Sequence, residues 1–510
     1  MLLTGSTVVA VTVAFVLFLR STPDAFPYGD QAVIEITTLA ALRGFVTLGP
    51  YSQFGWHHPG PLCFYLLAPF YQLAGHRSIG MVAGALAINV TALIVIGWAA
   101  ARNGGRVVAL SVLAVIGLYL LRAGDLAAST WNPHLIVVPM IALTVLGAAC
   151  SFGDVAALLM ATAVACFVAQ TNVSTIPYVT VLFGVSTATA VATTRDGWQP
   201  GGRTRWFWIG CVGVVALILW LPPLVQEWTH RPGNLNQLWR FFVMEQHGEQ
   251  SWSTAVRAWA DMTTAAARPQ FELPWGDVYV ARGSWGVGIC AISQVVLLVP
   301  AALWASRKGH RFVGRLCLLT ALGSVAACWS ITRIADEIGG YQIFWMTAVG
   351  ALNIALLCCV GLVAAAERAS WLRRGLVPLM TLTIAASIAF VTVKGLASAR
   401  SYALEQRDSS VARKDVALAT VEYLEREHIR RPLFKISEAT WLQSSGVILH
   451  VYKVHPRLAV DQRWVSVFGD ALAPNGREDM ELQIAGGCEQ GQRVVAQDVG
   501  LCVYELSRRY

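Results

Sequence analysis

Between Phe26 and Pro61 the chain reads FPYGDQAVIEITTLAALRGFVTLGPYSQFGWHHPGP, a polar and aromatic passage directly after an apolar run. Asp30 is the residue best suited to chemistry. Pro27 and Gly29 break the chain before it, and an amphipathic run from Ala32 to Leu42 follows. A carboxylate at that point is either an acid held by the positive end of a helix or a general base that accepts a hydroxyl proton. Glu35 lies five residues on, about 140° around a helix, so the two acids do not share a face. Glu35 is read as an ion-pair partner or a positioning residue, with Arg43 closing the same segment. Adjacent His57 and His58, without further ligands nearby, suit substrate hydrogen bonding or turn packing better than zinc. Tyr51 and Trp56 can stack on a sugar face or anchor a membrane interface.

Further candidates lie at the ends of apolar runs. Asp125 precedes TWNPH, where Asn132 before Pro133 reads as a helix N-cap and His134 follows. Gln170 and Asn172 stand at a helix end, Arg231 in HRPGN, and Arg333 and Tyr341 around Asp336 and Glu337. Arg333 either meets a lipid phosphate or pairs with Asp336. The sequence holds no GxxxxGK[ST], no GxGxxG after a strand, no HExxH and no nucleophile elbow. A reaction here would use neither a nucleotide loop nor an obvious covalent nucleophile.

The elements that must position these residues are membrane helices. The 510 residues are 55% hydrophobic and 13% charged, against roughly 25% charged in soluble domains. The net charge of +8 does not point to nucleic acid, because the basic residues fall between apolar spans. About 20 apolar residues cross a bilayer, and eleven segments qualify: 2–19, 79–101, 107–122, 134–151, 154–171, 174–194, 206–225, 285–305, 312–332, 341–365 and 374–393. The first is read as an uncleaved signal anchor. Pro61–Ala74 is shorter, with two prolines, and reads as interfacial or re-entrant.

Charge sets the topology. With the N-terminus cytoplasmic, Arg102, Arg106, Arg195, Arg203, Arg205, Arg307, Lys308, Arg311, Arg315, Arg368, Arg373 and Arg374 all face the cytosol. Counting 61–74 as a span would invert this pattern. The expected fold class is an α-helical polytopic membrane protein of about eleven spans with a C-terminal extracytoplasmic α/β or α+β domain. The expected domains are a transmembrane domain, 1–394, with outward loops 20–78 and 226–284, and an extracytoplasmic domain, 395–510. In the tail Ala397–His428 reads as helix, and PLFKIS, GVILHVYKV, RLAVDQRW, EDMELQIA and LCVYEL read as strands. Cys488 and Cys502 can bridge there if the region lies outside the cytosol. The other cysteines mostly sit singly in apolar runs, as small buried hydrophobes.

An apolar N-terminal span, an outward loop with an acid (GDQAVIE), the passage HPGPLCFYLLAPFYQLAG, and a span ending in Arg together resemble the GT-C superfamily of integral-membrane glycosyltransferases. Within it the protein mannosyltransferase-like and lipopolysaccharide core transferase-like branches, and actinobacterial relatives, are the nearest in look. The resemblance covers roughly 1–400 in architecture, with its motif within about 26–75. It implies a sugar moved from a polyprenyl-phosphate donor to a glycan, lipid or protein acceptor of the cell envelope, on the outer face of the bacterial cytoplasmic (inner) membrane. The loop acid would be the base, which maps onto Asp30, and an outward Arg would offset phosphate charge. The tail would bind the acceptor. Many relatives carry two acids in tandem, where this chain has Gln31; that leaves a second acid and a divalent cation open. Two other classes stay in view: a non-catalytic relative that binds lipid-linked glycan, and a lipid or glycan transporter, which would need charge inside its spans.

Overall fold

The computed structural model describes residues 18–193, 202–245, 249–269, 271, 277–281, 283–368 and 413–508, with single helical positions at 378, 393, 397, 400 and 401. The expected spans 2–19 (but for its last two residues) and 374–393 (but for two single positions), and the first part of the Ala397–His428 helix, lie outside the described residues. Two compact units form. One comprises Met1–His57, Cys63–Ala85 and Leu396–Tyr510; the other comprises His58–Leu62 and Leu86–Gly395.

The helices used below are, in chain order, α1 (Asp30–Arg43), α2 (Leu62–Leu73), α3 (Ile79–Gly104), α4 (Arg106–Arg122), the single turn α5 (Asn132–Leu135), α6 (Val137–Cys150), α7 (Val155–Thr171), α8 (Ile176–Thr193) and α9 (Gly202–Thr229). They continue with α10 (Trp252–Ala265), α11 (Trp285–Arg307), α12 (Arg311–Thr332) and α13 (Met346–Arg368), and in the tail with α14 (Lys414–Arg426) and α15 (Trp441–Val454). Among the described residues seven segments are long and apolar enough to cross a bilayer: Ile79–Gly104, Asn132–Cys150, Val173–Ala190, Phe207–Thr229, Trp285–Arg307, Arg311–Thr332 and Gly340–Arg368. The expected spans 107–122 and 154–171 are 17-residue helices, α4 and α7. The chain is thus a multi-pass, mainly helical membrane protein with a small sheet in its tail. The 61–74 passage forms α2, 12 residues long, with Pro69 inside it.

Burial sorts the helices of the second unit. The apolar window of Asn132–Cys150 is 100% buried and that of Phe207–Thr229 only 11%. The first is therefore central in the bundle, and α9 turns its Leu, Ile and Val side chains to the lipid. With lipid outside, close packing and hydrogen bonds must hold the bundle. Tyr119 Oη meets Thr347 Oγ1 at 2.7 Å and Thr144 Oγ1 meets Tyr178 Oη at 2.8 Å. At Gly350 of α13 a β-carbon would lie 1.8 Å from the Thr263 carbonyl of α10, so only glycine lets these helices touch.

The tail carries a five-stranded sheet of order β2-β1-β3-β5-β4. The strands are β1 (Pro432–Ile436), β2 (Ala459–Val460), β3 (Met480–Ala485), β4 (Arg493–Asp498) and β5 (Leu501–Arg508). β1 is parallel to β2 and β3; β5 is antiparallel to β3 and β4. Alternation buries Phe434 and Ile436 of β1, and Met480, Leu482 and Ile484 of β3. Cys488 and Cys502 are joined, Cα atoms 5.3 Å apart.

GVILHVYKV is helix, not strand: it is the second half of α15. A continuous apolar run is ambiguous by period. Here α15 buries Ser444–Leu449, Val451 and Tyr452, which helical packing on more than one side provides. RLAVDQRW yields only the two residues of β2 before a 3-10 turn at Gln462–Trp464. β4 was not foreseen.

Candidate functional site

In the first unit, Asp30 opens α1 and Gly29 is its cap, without a side-chain cap bond. The helix dipole favours a carboxylate at this place. Gly29 has φ +60°, a conformation that costs glycine little. Its carbonyl accepts the Val33 N–H at 3.1 Å, starting the helix. Its own N–H points to α15, where the Leu442 carbonyl (3.1 Å) and Ser445 Oγ (2.6 Å) accept it.

The rest of α1 is fastened to the same helix. The Phe26 ring, before α1, stacks on His450 at 3.6 Å and 20°. Glu35, 2% exposed in its side chain, pairs with Lys453 Nζ at 2.7 Å. Ser78 Oγ donates to Glu35 at 2.9 Å and accepts from Lys453 at 3.0 Å, and the Tyr71 ring centroid is 5.8 Å from the ammonium. Arg43 donates to the Tyr452 carbonyl at 3.1 Å and lies 4.6 Å over the Tyr452 ring. Glu35 and Arg43 are thus engaged with the tail.

Tyr51 and His57 pair as a short antiparallel bridge, rings 6.3 Å apart. Burial first, then the charge of Asp30, raises the Tyr51 phenol. Tyr51 is therefore within electrostatic reach of the acid. Burial lowers the His57 imidazole, against a bond to the Ser466 backbone and the charge of Asp470. Trp56 is buried and stacks on Phe54 at 5.8 Å. This unit therefore brings together Asp30, Tyr51 and His57, with Trp56 beside them in the chain.

Other candidates gather in the second unit. Asn132 is not a cap: Trp131 caps α5 without a side-chain bond, because the Asn132 amide instead reaches the Thr171 carbonyl at 3.2 Å. His134 is fully buried, with Nδ1 2.9 Å from Ser129 Oγ. Trp131 packs on Tyr341 at 5.6 Å and on His134 at 5.0 Å. Asn172 Oδ1 accepts the Ser174 N–H and hydroxyl at 3.1 and 2.9 Å, and Trp345 Nε1 reaches Ser174 Oγ at 3.0 Å. His58 Nδ1 accepts the Val173 N–H at 3.1 Å. Gln170 accepts the Gly60 N–H on its backbone carbonyl at 3.2 Å and donates from Nε2 to the Leu219 carbonyl at 2.9 Å.

Asp125 is exposed, in the 3-10 turn Gly124–Ala128. Arg231 is exposed ahead of the short helix Asn234–Trp239. Arg333 does not pair with Asp336. Asp336 sits in a left-handed turn (φ +56°), while Arg333 pairs with Glu249 and donates to the Phe242 carbonyl at 2.6 Å. These groups border a small, open pocket shared with Phe241, Glu245, Ile334 and Ala335. Sequence reading missed Ser445, Lys453, Ser78 and Tyr71, and also Asp261, which meets Arg268 at 3.5 Å and accepts a hydrogen bond from the Tyr279 hydroxyl. No local signal marks the first four. Among the described residues no three His, Cys, Asp or Glu side chains converge as metal ligands.

The chain matches no protein-family model and no curated protein sequence. Among solved structures it is similar to ArnT from Cupriavidus metallidurans in the apo state, at 16% identity and TM-score 0.53, covering 99% of this chain and 98% of that one. The same protein bound to undecaprenyl phosphate is 17% identical with TM-score 0.55, and 98% of each chain is covered. The likeness covers nearly the whole chain and shows that it has the fold of ArnT.

Proposed function

We propose that the chain, which has the fold of ArnT, is a glycosyltransferase that moves a sugar from a polyprenyl-phosphate donor to a cell-envelope acceptor. The supporting observation is a carboxylate, Asp30, fixed at the first turn of a buried helix, in a fold shared with a protein crystallised with undecaprenyl phosphate.

Asp30 takes the proton of an acceptor hydroxyl. The hydroxyl oxygen attacks the anomeric carbon, the bond from that carbon to the phosphate oxygen breaks, and polyprenyl phosphate leaves. The donor carries its own leaving group, so no nucleotide loop is needed. Tyr51, half-buried, offers aromatic surface to a sugar in the first unit, whereas the buried Trp56 supports the loop from behind. The lipid-facing helices of the second unit suit a prenyl chain. Arg333, committed to Glu249 and Phe242, is less suited to a phosphate than the exposed Arg231. The reaction takes place on the outer side of the cytoplasmic membrane, with the N-terminus cytoplasmic and the tail outside. That side also suits the Cys488–Cys502 bridge.

The test is turnover by purified protein with a panel of polyprenyl-phosphate sugars and an envelope-glycan extract, wild type against Asp30→Asn. Loss of a general base removes about 10²–10⁴-fold in rate. Release of polyprenyl phosphate by the wild type, lost in the folded variant, supports the reading. Equal turnover in both moves the base elsewhere, and donor binding with no turnover in either makes this a binding protein.

A further inference from the structure

Asp30 is held by a helix that lies more than four hundred residues further along the chain. Three features of that hold are independent. The Gly29 N–H, one peptide unit before Asp30, is taken up by Leu442 and Ser445 of α15 across a separation of 416 residues. Ser445 Oγ is itself fixed, because it donates to the Leu442 carbonyl at 2.6 Å while accepting from Gly29. A hydroxyl with both roles assigned cannot rotate without breaking one of the bonds. Lastly, Gly29 holds φ +60°, a left-handed turn that favours glycine.

The Phe26 stack before the turn and the Glu35–Lys453 pair after it pin the flanking chain to the same helix. The φ +60° turn at Gly29 therefore cannot shift along α15. Gly29 is at once the cap of α1 and the residue bonded to α15, so a displacement of α15 moves the Asp30 backbone with it.

We propose that Ser445 is a positioning residue for the reaction: through the Gly29 peptide, α15 of the tail sets where the Asp30 carboxylate stands. This rests on Asp30 being the base. It gives the tail a part in the chemistry beyond holding an acceptor. A misplacement of about 1 Å at a reacting group costs about 10²-fold in rate, so a small change at Ser445 is read in turnover.

The experiment compares full-length Ser445→Ala, Ser445→Cys and Ser445→Thr with wild type, Asp30→Asn and the Asp30→Asn/Ser445→Ala double variant. Donor turnover is measured per folded molecule, with donor binding measured separately. Ser445→Ala keeps the Leu442 bond to Gly29. Ser445→Cys keeps the volume and weakens the acceptor, and it serves if the alanine variant does not fold. The expected result is a fall in kcat of about 10–100-fold with donor binding unchanged, and a higher kcat in Ser445→Thr than in Ser445→Ala, because the hydroxyl is retained. In the double variant the residual rate equals that of Asp30→Asn alone, since Ser445 acts through Asp30.

Unchanged kcat in folded Ser445→Ala or Ser445→Cys overturns the proposal. So does a loss confined to KM, or a double variant slower than Asp30→Asn by the full Ser445 factor. A merely structural serine lowers the folded fraction but leaves kcat per folded molecule intact, which also overturns it. Wild-type activity in Asp30→Asn is a different failure: it removes the base assignment itself.

Discussion

Replacing Lys453 by Met leaves Glu35 buried without its cation. In the wild type the carboxylate is 2.7 Å from Lys453 Nζ, with side chains only 2% and 16% exposed. At 2.7 Å and an effective dielectric of about 20, the attraction is about 6 kcal/mol, opposed by the desolvation of both ions. The Ser78 hydroxyl, 2.9 Å from Glu35, is a neutral donor and cannot replace the ammonium. Breaking such a buried pair costs about 3–5 kcal/mol, whereas removing both charges together costs far less. Lys453→Met should therefore lose about 3–5 kcal/mol of first-unit stability. Glu35→Gln/Lys453→Met should recover about 2–4 kcal/mol of that, as the coupling of neighbours. The assay is denaturant unfolding of the detergent-solubilised chain, followed by protease resistance of the tail. If Lys453→Met unfolds within about 0.5 kcal/mol of wild type, as a surface substitution would, the pair is not buried in the working protein. If the double variant is as unstable as the single, the loss comes from packing of the lysine stem.

His450 is held down to about 3, by burial first and then by the charges of Lys453 and Lys414. The folded chain keeps it neutral while the unfolded chain protonates it near pH 6.5. Its stabilisation is thus present above about pH 6.5 and lost as pH falls toward 3, by about 1.4 kcal/mol per unit. Unfolding midpoints at pH 7.5, 6.5 and 5.5 should drop in wild type and drop less in His450→Phe, where His57 and His455, also lowered by burial, still contribute; a flat wild-type profile refutes this. Cys488→Ser opens a loop with a sequence separation of 14 and should cost about 3 kcal/mol by chain entropy. It should also abolish the gel shift that reduction produces in the wild type, and a shift that persists would assign the bridge to other cysteines.

Hydrophobic length alone marked the spans, because a bilayer requires about 20 apolar residues and little else. Pro27 and Gly29 likewise marked the helix start at Asp30. What holds Asp30 was not legible. Ser445 directly precedes an apolar run whose period does not separate strand from helix, and its partner is 416 residues away. Arg333 reads either as a contact for a lipid phosphate or as the partner of Asp336, three residues on, whereas it pairs with Glu249, 84 residues back. Local spacing finds elements; pairing across the fold depends on packing that no window of sequence contains. Glu35 was readable as a paired acid, but not as one paired with the tail.

The bond from Gly29 to Ser445 also fixes an order of events during synthesis. Asp30 leaves the ribosome long before its anchor, because Ser445 follows Gly29 by 416 residues. At about 5–20 residues per second that is an interval of roughly 20–80 s. Through all of it α1 has its apolar residues and Glu35 but not the helix that buries them. The helix carrying the acid is thus made long before it is completed, and a chain released before Lys453 carries Asp30 without the parts that hold it in place.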